Sequence, residues 1–124
     1  MVDGGERYPA LEHLVDKFDR NRWSQTYWHY IDNFTDTKIG EIICRAYPVA
    51  VAGDINYYGV DRKLNTFTLS YTGSSDIKAP TLVFLPKQPK KVFSTKKYVI
   101  KDTPGGKYLQ VYAGKGSCVV KVEF

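Results

Sequence analysis

The chain has 124 residues, enough for one ordinary domain and short for two, with 43% apolar and 25% charged residues. No apolar run approaches the ~18–20 residues of a membrane helix, and two cysteines, Cys44 and Cys118, are too few for a disulfide scaffold and lack metal-ligand spacing. The net charge of +5 is uneven: residues 1–46 carry eight acids and six bases, net −2, and residues 47–124 carry twelve bases and five acids, net +7.

The first stretch, MVDGGERYPA, has no apolar h-region, so no signal peptide is expected in it. Gly4 and Gly5 mark a loop. Pro9 fits the first turn of a helix, and Leu11, Leu14, Val15 and Phe18 follow at helical spacing, predicting an amphipathic helix that ends near Asn21. Residues 23–31, WSQTYWHYI, are β-formers without a breaker and predict a strand. Trp23, Gln25, Tyr27, His29 and Ile31 share one face; Ser24, Thr26, Trp28 and Tyr30 share the other. Aromatics on both faces fit a strand buried on both sides, as in a parallel sheet or a barrel. After a loop, Thr35 or Asp36 can cap a second helix with Ile39, Ile42, Ile43 and Ala46 on one stripe. Such a helix–strand–helix unit leaves two strand edges unpaired and cannot bury itself.

Residues 46–53, AYPVAVAG, read as a connector. The pattern then changes to short alternating segments: INYYGV, NTFTLSYT, PTLVFLP, KKVFS, KYVIKD, KYLQVYAG and SCVVKVEF, separated by Gly-, Pro- and Asp-containing turns. About seven short strands at this spacing predict a small antiparallel β-sandwich, making the chain mainly β.

The segment from Arg45 to Pro86 resembles the C-terminal module of endoglycoceramidase-type enzymes in glycoside hydrolase family 5. Arg45, Tyr47, Pro48, Ala50, Ala52 and Gly53 match its R-x-Y-P-x-A-x-A-G connector. Asp61, Phe67, Leu69 and Tyr71 match a D…F-x-L-x-Y hairpin, and Ala79, Pro80, Thr81, Phe84 and Pro86 match an A-P-T-x-x-F-x-P strand. The resemblance implies that residues 1–46 are the end of a (β/α)8 barrel and residues 47–124 a β-sandwich domain. It makes 23–31 the last barrel strand, where Tyr27, Trp28 and Tyr30 fit a W-x-Y-W-x-Y-like run whose first tryptophan is replaced by Gln25. In such enzymes a tryptophan of that strand stacks on the sugar at the cleavage point, and Trp28 is the matching residue. Asp32 ends the strand, where barrel active sites form, and is a weaker candidate for binding a sugar hydroxyl.

Glycoside hydrolysis needs two carboxylates flanking the scissile bond. The resemblance places the acid in an Asn-Glu stretch and the nucleophile in a Glu-Phe-Gly stretch, and this chain contains neither. Glu6 lacks the flanking motif. The expectation is therefore a C-terminal portion of a retaining glycosidase acting on glycosphingolipids, inactive alone, using no cofactor or metal and completed by the missing barrel. The alternative is a non-catalytic sandwich that binds carbohydrate or membrane glycolipid.

Three further features have two readings each. The cysteines are buried small apolar side chains, or form one bridge in an oxidising compartment. Lys87, Lys90, Lys91, Lys96 and Lys97 protect a strand edge, or contact an anionic membrane peripherally. Asn33-Phe34-Thr35 is a glycosylation sequon or a chance match; with the family it points to a secreted or lysosomal/endomembrane parent. Nucleic-acid binding is not expected, because the basic patch has little arginine and only Phe93 for stacking.

Overall fold

The computed structural model describes residues 9–24, 37–104 and 106–124. They belong to two units, Met1–Arg45 and Ala46–Phe124.

In the first unit, helix α1 spans Pro9–Asn21, with Glu12 in its first turn and Arg20 in its last, each suited to the helix dipole at its end. Its end explains Trp23. Arg22 takes a left-handed φ of 58°, Trp23 N donates to Phe18 O at 2.8 Å, and Arg22 N donates to Asp19 O at 3.1 Å. This is a Schellman closure, and its usual apolar contact is made by the Trp23 and Phe18 rings, 6.4 Å apart. Trp23 is thus part of a helix cap and not the start of a strand; residues 25–31 of the predicted strand lie outside the described residues.

The buried side of α1 also differs from the apolar stripe. Val15 is buried, but so are Glu12 and Asp19, while Leu14 is 46% exposed. For Asp19 the cause lies 26 residues away. Arg45 grips the Asp19 carboxylate with both arms of its guanidinium, Nε donating to Oδ2 at 2.9 Å and Nη2 to Oδ1, and Nη1 donates to Ile43 O at 2.9 Å. A paired carboxylate can be buried where a lone one cannot. Helix α2, Lys38–Ile43, is capped by Thr37, whose Oγ1 accepts from Gly40 N at 3.0 Å, rather than by Thr35 or Asp36.

The second unit is mainly β, as the alternation predicts. Its strands are β1 (Tyr47–Ala50), β2 (Gly53–Asp61), β3 (Thr66–Gly73), β4 (Thr81–Leu85), β5 (Lys91–Ser94), β6 (Tyr98–Thr103), β7 (Gly106–Val111) and β8 (Gly116–Glu123). They form two antiparallel four-stranded sheets, ordered β1-β4-β7-β6 and β2-β3-β8-β5. Alternate residues point inward, so Phe67, Leu69 and Tyr71 of β3 and Cys118, Val120 and Val122 of β8 share a core with Val83, Leu85, Leu109 and Val111 of the other sheet. The one strand missed in the sequence is β1, inside the connector. It pairs with β4 at a sheet edge, where Pro48 costs no ladder bond. An extra residue, Asn56, bulges β2 between Ile55 and Tyr57, so that Ile55, Tyr58 and Val60 turn inward and Tyr57 turns out. Across the sheets, the fully buried Thr81 accepts from Ala52 N at 2.9 Å.

Candidate functional site

The residues that carried the sugar-site expectation, Trp28 and Asp32, lie outside the described residues, as do Glu6, Tyr27, His29, Tyr30 and the Asn33 sequon. What the structure does define is the sandwich and its surfaces.

At one end of the sandwich, the β3–β4 loop (74–80) and the segment after β7 enclose an open cleft of about 460 Å³. That is the size of a small-ligand site. Ser74, Ile77, Lys78, Gln110 and Tyr112 lend it hydroxyls, an ammonium, an amide and apolar surface. The lining as described holds no carboxylate, histidine or cysteine; its titratable groups are the Lys78 ammonium and the Tyr112 phenol. Sequence reading missed this cleft because its two walls, residues 74–80 and 110–114, are about 35 residues apart in the chain; the turn-rich TGSSDIKAP was its only local signal.

Behind the cleft, Lys96 is withdrawn from the lysine cluster. Its Nζ donates to Gly114 O, lies 3.5 Å from Gly116 O, and stands 5.6 Å from the centre of the Tyr71 ring. Gly73 makes room for this: a Cβ there would fall 1.9 Å from Gly114 O and 2.6 Å from Lys96 Nζ. An ammonium spent on two carbonyls and a ring face is an internal fastening, so Lys96 does not belong with the surface cations. Lys87, Lys90, Lys91 and Lys97 remain exposed.

The Tyr71 hydroxyl is buried beside the Thr81 and Cys118 side chains, and among the described residues it makes no hydrogen bond of ordinary geometry. Burial pushes its pKa up to about 12, Cys118 adds to the rise, and Thr81 opposes it. Both cysteines are free thiols, Cys118 in the sandwich core and Cys44 at the end of α2. Among the described residues no three His, Cys, Asp or Glu side chains converge as a metal site, and no helix is long and apolar enough to cross a membrane.

Comparison with known proteins accords with this geometry. A family model described as the glycoside hydrolase family 5 C-terminal domain matches residues 45–122. The fold is similar to endo-glycoceramidase II from Rhodococcus sp., solved as a lactosyl-enzyme intermediate, with a TM-score of 0.72 and 20% identity, covering 98% of this chain and 31% of that one. It is also similar to sterylglucosidase 1 from Cryptococcus neoformans, with a TM-score of 0.59 and 18% identity, covering 70% of this chain and 14% of that one. The chain therefore spans less than a third of either enzyme's length. No curated protein matches it.

Proposed function

Since the chain belongs to the glycoside hydrolase family 5 C-terminal domain family, we propose that it serves as the C-terminal part of a glycosidase that cleaves the bond between a sugar chain and a lipid, a glycosphingolipid in the first instance. The observation that carries this reading is the match over residues 45–122, which takes in nearly the whole sandwich and the Arg45–Gly53 connector into it. Two neighbours of this fold bear names that denote glycolipid hydrolysis, one of a glycoceramide and one of a steryl glucoside.

In this reading the acid and nucleophile reside in the remainder of the enzyme. Trp28 lays its indole on the sugar at the point of cleavage and keeps water from the developing oxocarbenium ion. Asp32 accepts a hydrogen bond from a sugar hydroxyl. The sandwich supports the barrel, and its exposed lysines draw the enzyme toward the bilayer that holds the substrate.

The test begins with the genomic sequence upstream of the Met1 codon. An open frame encoding Asn-Glu and then Glu-Phe-Gly is expected, and the joined polypeptide is expected to release the sugar from glucosylceramide or lactosylceramide. An in-frame stop with its own promoter would overturn the reading. Hydrolysis of a steryl glucoside in preference to either ceramide would overturn the sphingolipid assignment while keeping the glycosidase.

A further inference from the structure

The outer face of the β2-β3-β8-β5 sheet carries two large exposed aromatics, Tyr57 at 56% and Phe93 at 54%. Large rings on a largely polar sheet face call for an explanation. The cross-strand register supplies a geometry. Gly59 of β2, Thr68 of β3, Lys121 of β8 and Phe93 of β5 stand in one row across all four strands. Tyr57 precedes Gly59 by two residues on the same face. Its ring leans along the strand and over the glycine, since a Cβ on Gly59 would lie 2.7 Å from Tyr57 Oη and 3.2 Å from Cζ. Glycine here lets the phenol lie down on the sheet and turn one π-face to solvent. The two aromatic strands are the outer pair, three strand spacings or about 14 Å apart.

Between the rings the surface is mostly polar: hydroxyls and the Lys121 amine, with the half-buried Val119 beside Ser70 and the Glu123 carboxylate beside Thr66. Every side chain that β3 sends to this face is Ser or Thr, namely Thr66, Thr68, Ser70 and Thr72, and Lys121 stands beside Thr68. Flat apolar platforms separated by hydroxyl donors and acceptors suit a ligand whose rings have C–H faces and hydroxyl edges. Charge narrows the class further. On this face Lys91 and Lys121 are outnumbered by Asp54, Asp61 and Glu123, so no excess of cations is left to attract an anion and the ligand should be neutral. An anionic bilayer would call for uncompensated cations, and a protein partner for a continuous apolar patch instead of rings parted by Thr68 and Lys121.

We propose that this sheet face is a carbohydrate-binding platform that takes a neutral oligosaccharide across the strands, stacked on Tyr57 and Phe93 and hydrogen-bonded by Thr68, Ser70 and Lys121. The platform is separate from the end cleft and stands independently of the glycolipid-hydrolysis reading.

Titration of the purified 124-residue chain with cellotetraose and with lactose, followed by amide NMR shifts and calorimetry, tests it. Binding is expected, with shifts concentrated on β3 and β8. Tyr57→Ala and Phe93→Ala should each weaken it about 5- to 10-fold, and the double variant should abolish it. Both rings are exposed, so the fold should survive, and circular dichroism verifies this. Gly59→Ser keeps both aromatics but lifts the phenol, and is expected to weaken binding as well; the atoms nearest the added Cβ are at the far end of the Tyr57 side chain. Absence of oligosaccharide binding would overturn the proposal. So would undiminished binding in the double variant, shifts confined to the end cleft, tighter binding of sialyllactose than of lactose, or a dimer dissolved by Tyr57→Ala.

Discussion

Tyr71 holds a phenol hydroxyl in the core beside Thr81 and Cys118, with its pKa raised from 10.0 to about 12. The folded state thus binds this proton more tightly than the unfolded chain does. The resulting stabilisation is fully present below pH 10 and is lost as pH climbs through 12, amounting to about 2–3 kcal/mol. Tyr71→Phe removes that titration. Because no ordinary hydrogen bond is surrendered, the variant should stay within about 1 kcal/mol of the parent near neutral pH and lose less stability in the alkaline window. Denaturant midpoints measured on both proteins across that window check this; equal alkaline losses would refute it. The neighbouring lysine offers a second contrast. Lys96→Met leaves Gly114 O without its charged donor and should cost about 1.5–3 kcal/mol. Lys97→Met, one residue on and exposed, should change stability by no more than about 0.5 kcal/mol. Thermal denaturation of the pair distinguishes an internal fastening from a surface charge.

Helix α1 depends on a partner distant in sequence. The Asp19 and Arg45 side chains are only 5% and 12% exposed, so Asp19→Asn leaves a nearly buried guanidinium uncompensated. A cost of about 3–5 kcal/mol is expected, read as faster amide exchange along Pro9–Asn21, with little change in β3 and β8. Uniform acceleration across the chain, or none, would contradict it. This pair also shows where sequence reading stops. Seven sandwich strands were legible because a period-two alternation such as TFTLSYT records which face is buried. The α1 boundaries were legible from Pro9 and the apolar spacing. Its buried face was not, since Asp19 reads as solvated until Arg45 is known to meet it. Strand β1 was hidden because Tyr47–Ala50 has the composition of a linker and becomes a strand only by pairing with β4. Trp23 looked like a β-former because the left-handed turn at Arg22 has no glycine to announce it. The binding surfaces were least legible. The end cleft and the Tyr57–Phe93 face are assembled from separate strands, and only register brings their residues together.

At the scale of the whole chain, charge and core coincide in the second unit. Residues 46–124 hold one continuous hydrophobic core of two sheets, and expressed alone they should fold cooperatively, with the slowest amide exchange in β3 and β8. An unfolded product would show that the sandwich depends on the preceding segment. The same region carries a net charge of +7, and Lys87, Lys90, Lys91 and Lys97 are all exposed. Each lysine near an anionic bilayer contributes ~1 kcal/mol, about fivefold in affinity. Flotation with phosphatidylserine vesicles should therefore recover the chain at low ionic strength and lose it as salt shortens the Debye length below ~10 Å. Reversing the four lysines to glutamate should eliminate recovery, and Lys96, bound to Gly114, should have no part in it. A different result has a definite meaning. Lys91 lies on the edge strand β5, where a long cationic side chain blocks pairing with another sheet. Recovery that ignores both salt and the reversals, combined with aggregation of the reversed protein, would assign the lysines to edge protection and remove the bilayer from the account.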